Sequence, residues 1–151
     1  MCGITGLYAF DHNAINRLAN VQQSVDKLYK RGPDSGDFYK DSKIALGHRR
    51  LSILDISTAA AQPMYSPDGR YIIVFNGEIF NFKSLYTTYL PELHQEKNQI
   101  DSDTEVLLHL LIKYNTQCLE WLHGFFAFAF YDTESKDLII ARDPLGKKPL
   151  L

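Results

Sequence analysis

Cys2 stands directly behind Met1. A cysteine is small enough for the initiator methionine to be removed, which leaves a thiol and an α-amine on one residue. Their unperturbed pKa values are about 8.5 and about 8, so each can exchange a proton near neutral pH. Such a residue is a nucleophile that carries its own base, as a terminal threonine does. A Met-Cys start also arises by chance with an inert thiol, so the rest of the chain must decide. Other groups of chemical interest are spread along it: the pair Arg49-Arg50, the dipeptide Asn76-Gly77, Asp103 and a second thiol, Cys118. Each has a bland reading. An arginine near a strand end is usually a solvated charge, and Asn-Gly is a leading signal for a type I′ hairpin turn. Asp103 can complement the positive end of a helix, and Cys118, beside Leu119, reads as a core thiol.

The elements that must position these groups follow from apolar periodicity. Gly3 to Phe10 reads as a strand. Residues 13–30 place Ile15, Leu18, Val21, Val25 and Leu28 on one helical face. Arg31-Gly-Pro-Asp-Ser-Gly36 is loop-forming. A strand near Lys43–His48 precedes a less regular stretch, Arg49–Ser57. After a turn over Pro63–Gly69, Tyr71–Phe75 is a compact strand closed by Asn76-Gly77. Asn81 is expected to cap a helix over 82–90, and Pro91–Asp101 to be polar loop. Ser102-Asp-Thr-Glu105 has capping-box spacing, and the helix it starts buries Val106, Leu107, Leu110, Leu111 and Tyr114. A short helical piece lies around Leu119–Leu122. Phe125–Asp132 alternates aromatic residues and alanine with both faces apolar, as suits a central strand. A turn at Thr133–Lys136 leads to Leu138–Arg142. Strands joined by hairpins, with helices in two groups, predict an antiparallel α+β sandwich in one domain, residues 1–151.

The 151 residues are 45% hydrophobic and 23% charged, with a net charge of -2, an ordinary globular balance. No clustered Lys/Arg surface suggests nucleic acid. No apolar run approaches the roughly 18 residues of a membrane span, and the amino terminus lacks a signal peptide's form. A reducing cytoplasm is the default, which argues against a disulfide between Cys2 and Cys118. The five histidines show no metal-ligand spacing, and no metal is expected.

Met1-Cys-Gly-Ile-Thr-Gly6 resembles the opening of class II glutamine amidotransferases, a family of Ntn hydrolases. In order along the chain it is joined by Arg31-Gly-Pro-Asp34, His48-Arg-Arg-Leu-Ser-Ile-Leu-Asp55, Gln62-Pro63, Asn76-Gly-Glu-Ile79, Ser102-Asp-Thr-Glu105 and Arg142-Asp-Pro-Leu-Gly146. The set is most similar to the glutaminase domain of glutamine-hydrolysing asparagine synthetases. Arg50-Leu-Ser-Ile53 carries that finer match, since amidotransferases making glucosamine phosphate or phosphoribosylamine usually differ there.

The resemblance implies a four-layer αββα sandwich of antiparallel sheets, here truncated at its C-terminal edge. It implies hydrolysis of L-glutamine to glutamate and ammonia, with Cys2 as nucleophile and with Asn76 and Gly77 as oxyanion hole. Arg50 is expected to bind the substrate α-carboxylate, main-chain groups of Leu51, Ser52, Ile53 and Leu54 to line the pocket, and Glu78 and Asp103 to meet the ammonium. The alternative is a non-catalytic glutamine-binding or assembly module that keeps the fold. The Ser-Gly-Gly-x-Asp-Ser loop of the family's synthetase domain is absent, so ATP and magnesium are expected only in a separate synthetase domain or subunit. No cofactor is expected in this chain, no nucleic acid or membrane partner, and a homodimer is compatible with the pattern.

Overall fold

The computed structural model describes residues 2–51, 61–96 and 100–150. Among the described residues seven strands form two antiparallel sheets. The first has the order β1-β3-β2, from β1 (Gly3–Tyr8), β2 (Ser35–Lys40) and β3 (Ile44–Arg50). The second has the order β4-β5-β6-β7, from β4 (Met64–Tyr65), β5 (Tyr71–Ile79), β6 (Gly124–Asp132) and β7 (Leu138–Arg142). The helices are α1 (His12–Ile15), α2 (Asn20–Lys27), α3 (Phe82–Tyr89), α4 (Pro91–Glu96) and α5 (Asp103–Tyr114).

Strand periodicity sorts the core into layers. On β3, Ile44 and Leu46 face the second sheet, where they meet Ile72 and Val74 of β5 and Ala129 and Tyr131 of β6. The intervening Ala45 packs outward with Val21 and Val25 of α2. On the outer face of the second sheet, Ile73, Phe75, Phe126, Phe128 and Phe130 meet Val106, Leu107, Leu110 and Leu111 of α5. The result is the four-layer αββα sandwich. β6 is central, flanked by β5 and β7, and both its faces are apolar because the first sheet covers one and α5 the other.

Several local expectations are corrected. The helix predicted over 13–30 is broken into α1, α2 and a 3₁₀ turn, Leu28–Lys30. β2 was hidden by its polar start, Ser35-Gly-Asp37, which an exposed edge strand tolerates. Asn76-Gly77 is not a turn: β6 pairs with β5 through Ile79↔Gly124, and this pairing overrides the local turn preference. Asn81 makes no side-chain cap; its amide instead donates to Trp121 O (2.9 Å) and accepts from His123 N (3.0 Å). Pro91–Glu96 is helical rather than loop. The predicted cap at Ser102 forms, its Oγ accepting from Glu105 N at 3.2 Å. No helix among the described residues is long and apolar enough to cross a membrane.

Candidate functional site

Cys2 and Arg31 meet beside the end of β3 that carries Arg50, and Asn76, Gly77, Glu78 and Asp103 lie at the end of β5. In the register of β1 and β3, Gly3 lies opposite Arg49 and Ile4 opposite His48, so Cys2 leads into β1 beside the end of β3. Cys2 is half-buried, with its Sγ 4.0 Å from Leu51 O. Its carbonyl accepts from Arg31 Nε at 3.3 Å. Nη2 of the same arginine is buried without a hydrogen-bond partner among the described residues, a costly donor to leave unpaired. Sequence reasoning passed over Arg31 as a loop residue; its place before Gly32 was the available signal. That glycine is required by close approach, because a Cβ there would lie 2.6 Å from Arg50 N. The loop is thereby pressed onto β3, and Asp34 N donates to Arg50 O at 3.1 Å.

The strand period separates the two arginines. Arg49 points to the α2 side, where its guanidinium donates to Gly32 O (2.7 Å) and Pro33 O (3.3 Å) and lies over the Tyr29 ring. Arg50 shares the face of Ile44, Leu46 and His48, which looks toward the second sheet. Leu51 is described; Ser52, Ile53 and Leu54 lie outside the described residues, as does Met1.

On β5, Asn76 shares the inner face with Ile72 and Val74 and is 3% exposed. Along with Arg31 it lines a cavity of about 420 Å³ walled by β1, Ile44, Leu46, Val74, Ala129 and Leu138. Cys2, Arg50, Glu78 and Asp103 lie outside the lining of that cavity. Glu78, exposed, follows on the same face of β5 as Asn76.

The backbone of β5 carries a more telling pattern. In an antiparallel pair, alternate residues turn their N–H and C=O away from the neighbouring strand. Phe126 of β6, opposite Gly77, exchanges bonds with Asp143 on its other side: its N donates to Asp143 Oδ2 (3.3 Å) and its O accepts from Asp143 N (2.8 Å). The N–H groups of Phe75, Gly77 and Ile79 therefore point away from β6. β4 pairs with Ile73 and Ile72, so among the described residues no strand continues along this edge of β5. The Phe75 N–H is taken by Gln62 Oε1 (2.6 Å) and the Ile79 N–H by Asp103 Oδ2 (3.0 Å). Between them the Gly77 N–H meets no acceptor among the described residues, one residue from the Asn76 amide.

Asp103 opens α5 half-buried at the end of β5. Burial chiefly raises its pKa above the ordinary carboxylate value, and the nearby Glu78 charge adds to this. The two carboxylates thus form an anionic corner suited to a cation. His48 is 1% exposed and its Nε2 lies 3.2 Å from Phe75 O; burial pushes its pKa down to about 4. Cys118 is fully buried, with Sγ 3.0 Å from Asn115 O, and burial pushes its thiol up to about 11. It is a core thiol remote from nucleophilic chemistry.

Comparison with known proteins gives a consistent picture. The sequence profile of the glutamine amidotransferase domain matches residues 1–151. Asparagine synthetase [glutamine-hydrolyzing] 3 of Bacillus subtilis is 39% identical over 152 residues, which cover 99% of this chain and 24% of that protein. Asparagine synthetase B of Escherichia coli is 35% identical over 99% of this chain and 26% of its own length. The chain thus spans about a quarter of these relatives. Among solved structures, glutamine phosphoribosylpyrophosphate amidotransferase from B. subtilis superimposes with a TM-score of 0.51 at 27% identity. It covers 69% of this chain and 24% of that one.

Proposed function

Since the chain belongs to the glutamine amidotransferase domain family, we propose that it hydrolyses L-glutamine to glutamate and ammonia with Cys2 as nucleophile. The observation that carries the reading is the open edge of β5. Among the described residues one backbone donor, at Gly77, stands unused between two that are occupied by side chains, and it sits beside the buried Asn76 amide. Two preset donors of this kind suit an oxygen that gains negative charge, and removing one such donor typically lowers a rate by about 100- to 1000-fold.

In this mechanism Met1 is removed first. Arg50 pairs with the α-carboxylate of glutamine, its fork matching the two oxygens, with main-chain groups of Leu51 to Leu54 beside it. Asp103 and Glu78 hold the ammonium. The Cys2 thiolate attacks the side-chain amide carbon, and the α-amine of the same residue takes the thiol proton. Asn76 and Gly77 hold the tetrahedral oxyanion. The carbon–nitrogen bond then breaks and the proton leaves with ammonia. Water next attacks the γ-glutamyl thioester, releasing glutamate and restoring the thiol. Arg31, bonded to the Cys2 carbonyl, keeps the nucleophile in place.

The relatives' names and the chain's share of their length support a further step: the ammonia serves amidation, asparagine synthesis or a related reaction, in a synthetase domain or partner subunit. ATP and magnesium belong to that partner in this reading. The residues gathered here take up a free amino acid and need no cofactor of their own.

Replacing Cys2 with alanine tests the proposal. Glutamate release measured with a coupled dehydrogenase should vanish, while the melting temperature and glutamine binding stay as in the wild type. Retained turnover in Cys2→Ala refutes the nucleophile. Glutamine binding without turnover in wild-type protein lacking Met1, verified by intact mass, leaves a glutamine-binding module instead.

A further inference from the structure

Two buried or half-buried polar side chains have no part in the mechanism above, yet both end on one residue of β5. Beyond Ile73, β5 has lost its β4 neighbour, and a strand edge inside a packed domain must satisfy its polar groups in another way. At Phe75 both groups are met by side chains. Its N–H donates to Gln62 Oε1 at 2.6 Å, and its C=O faces His48 Nε2 at 3.2 Å. A carbonyl can only accept, so Nε2 is the protonated nitrogen and Nδ1 is bare. The two side chains come from separate places: His48 crosses from β3 of the first sheet, and Gln62 stands two residues before β4. Together they act as a substitute strand, one residue wide, at the point where β5 becomes functional.

We propose that Gln62 and His48 are positioning residues for the oxyanion donors, an inference that rests on the glutaminase reading above. The C=O gripped by His48 belongs to the peptide unit that carries the Asn76 N–H, so the imidazole sets the plane from which the Asn76 side chain departs. The N–H held by Gln62 belongs to the preceding unit, so the pair fixes both peptide planes leading into Asn76 and Gly77. Loss of either bond lets the strand edge rotate and moves both donors away from the point where the oxyanion forms. Because a preset donor acts chiefly in the transition state, the effect falls on kcat rather than on glutamine affinity.

The test uses purified protein lacking Met1. Gln62→Met removes the acceptor at similar length, and Gln62→Glu keeps an acceptor. His48→Met removes the donor, and His48→Gln returns an N–H near the position of Nε2. The Met variants should lower glutaminase kcat by about 10- to 100-fold, with KM for glutamine changed by less than about threefold. The Glu and Gln variants should recover most of that loss. The γ-aldehyde analogue of glutamine, which forms a tetrahedral thiol adduct, should lose affinity in parallel with kcat. Wild-type kcat in Gln62→Met, a loss confined to KM, or an unchanged aldehyde affinity overturns the proposal. The half-buried Gln62 carries the test if His48→Met fails to fold. Absence of turnover in the wild-type protein itself is a distinct result: it overturns the glutaminase reading, and this proposal with it.

Discussion

Gly77→Ala puts the strand edge and the chemistry under one perturbation. A Cβ at Gly77 would meet the Phe125 carbonyl oxygen and lie 2.7 Å from Phe126 Cα and 2.9 Å from Phe126 Cβ. Ordinary carbon–carbon contact is about 3.5–4.0 Å, so the overlap with Phe126 is roughly 0.8 Å. Neither the carbonyl nor the Cα can rotate aside, and β6 is held from behind by β7 and Asp143. The two strands must therefore separate by a comparable distance, which carries neighbouring N–H···O bonds of about 2.9 Å beyond their useful range. Overpacking of this kind costs about 1–3 kcal/mol, and a weakened ladder bond adds about 1 kcal/mol. For a domain of this size each kcal/mol moves Tm by about 2–4 °C, so a fall of roughly 4–16 °C is expected. The displaced Gly77 N–H should lower kcat by about 100-fold or more. Differential scanning fluorimetry and coupled glutaminase kinetics measure the two effects on one preparation. An alanine variant with wild-type Tm refutes the packing argument. Lowered Tm with wild-type kcat removes Gly77 from the oxyanion hole.

Other substitutions separate roles within the site. Asp103→Asn keeps an acceptor for the Ile79 N–H but loses the charge. Because burial raises the Asp103 pKa above 3.8 in the folded protein, its carboxyl favours folding most below that pH and loses this contribution as pH rises through the shifted value. The asparagine variant should therefore match or exceed wild-type Tm at pH 7 without substrate, while KM for glutamine rises about 10- to 100-fold; a lower Tm contradicts the burial argument. Arg49→Ala should lower Tm and spare KM, whereas Arg50→Ala should raise KM by about 10-fold or more. The reverse pattern exchanges their assignments. His48 has a folded pKa of about 4 against an ordinary 6.5. Between those values the unfolded chain binds a proton that the folded chain refuses, so stability falls on acidification by up to about 1.4 kcal/mol per pH unit. Urea titrations at pH 7, 5.5 and 4.5 should show a shallower decline in His48→Gln; equal declines remove His48 as the cause.

Features set by neighbours in the chain were legible from sequence. The Ser102 cap, the buried stripe of α5 and the two apolar faces of β6 depend on spacings of two to four residues, and all three form. The ordered run of motifs from Cys2 to Asp143 identified the family because each carries side chains of unusual chemistry. The misreadings share one cause, that local preference yields to pairing between distant segments. Asn76-Gly77 favours a turn in isolation, but nine consecutive β5–β6 pairs draw it into a strand. The polar start of β2 hides a strand whose exposed edge tolerates polar residues, and a continuous apolar stripe over 13–30 does not reveal the break between α1 and α2. Only the tertiary structure decided which arginine faces the second sheet, since a strand's period of two sends Arg49 and Arg50 to opposite sides. It alone disclosed the edge of β5 where, among the described residues, Gln62 and Asp103 each occupy one N–H and leave the one at Gly77. Residue types declare what chemistry a chain can perform. Where the donors point depends on backbone pairing between segments far apart in sequence, and that direction exists only once the sheets have assembled.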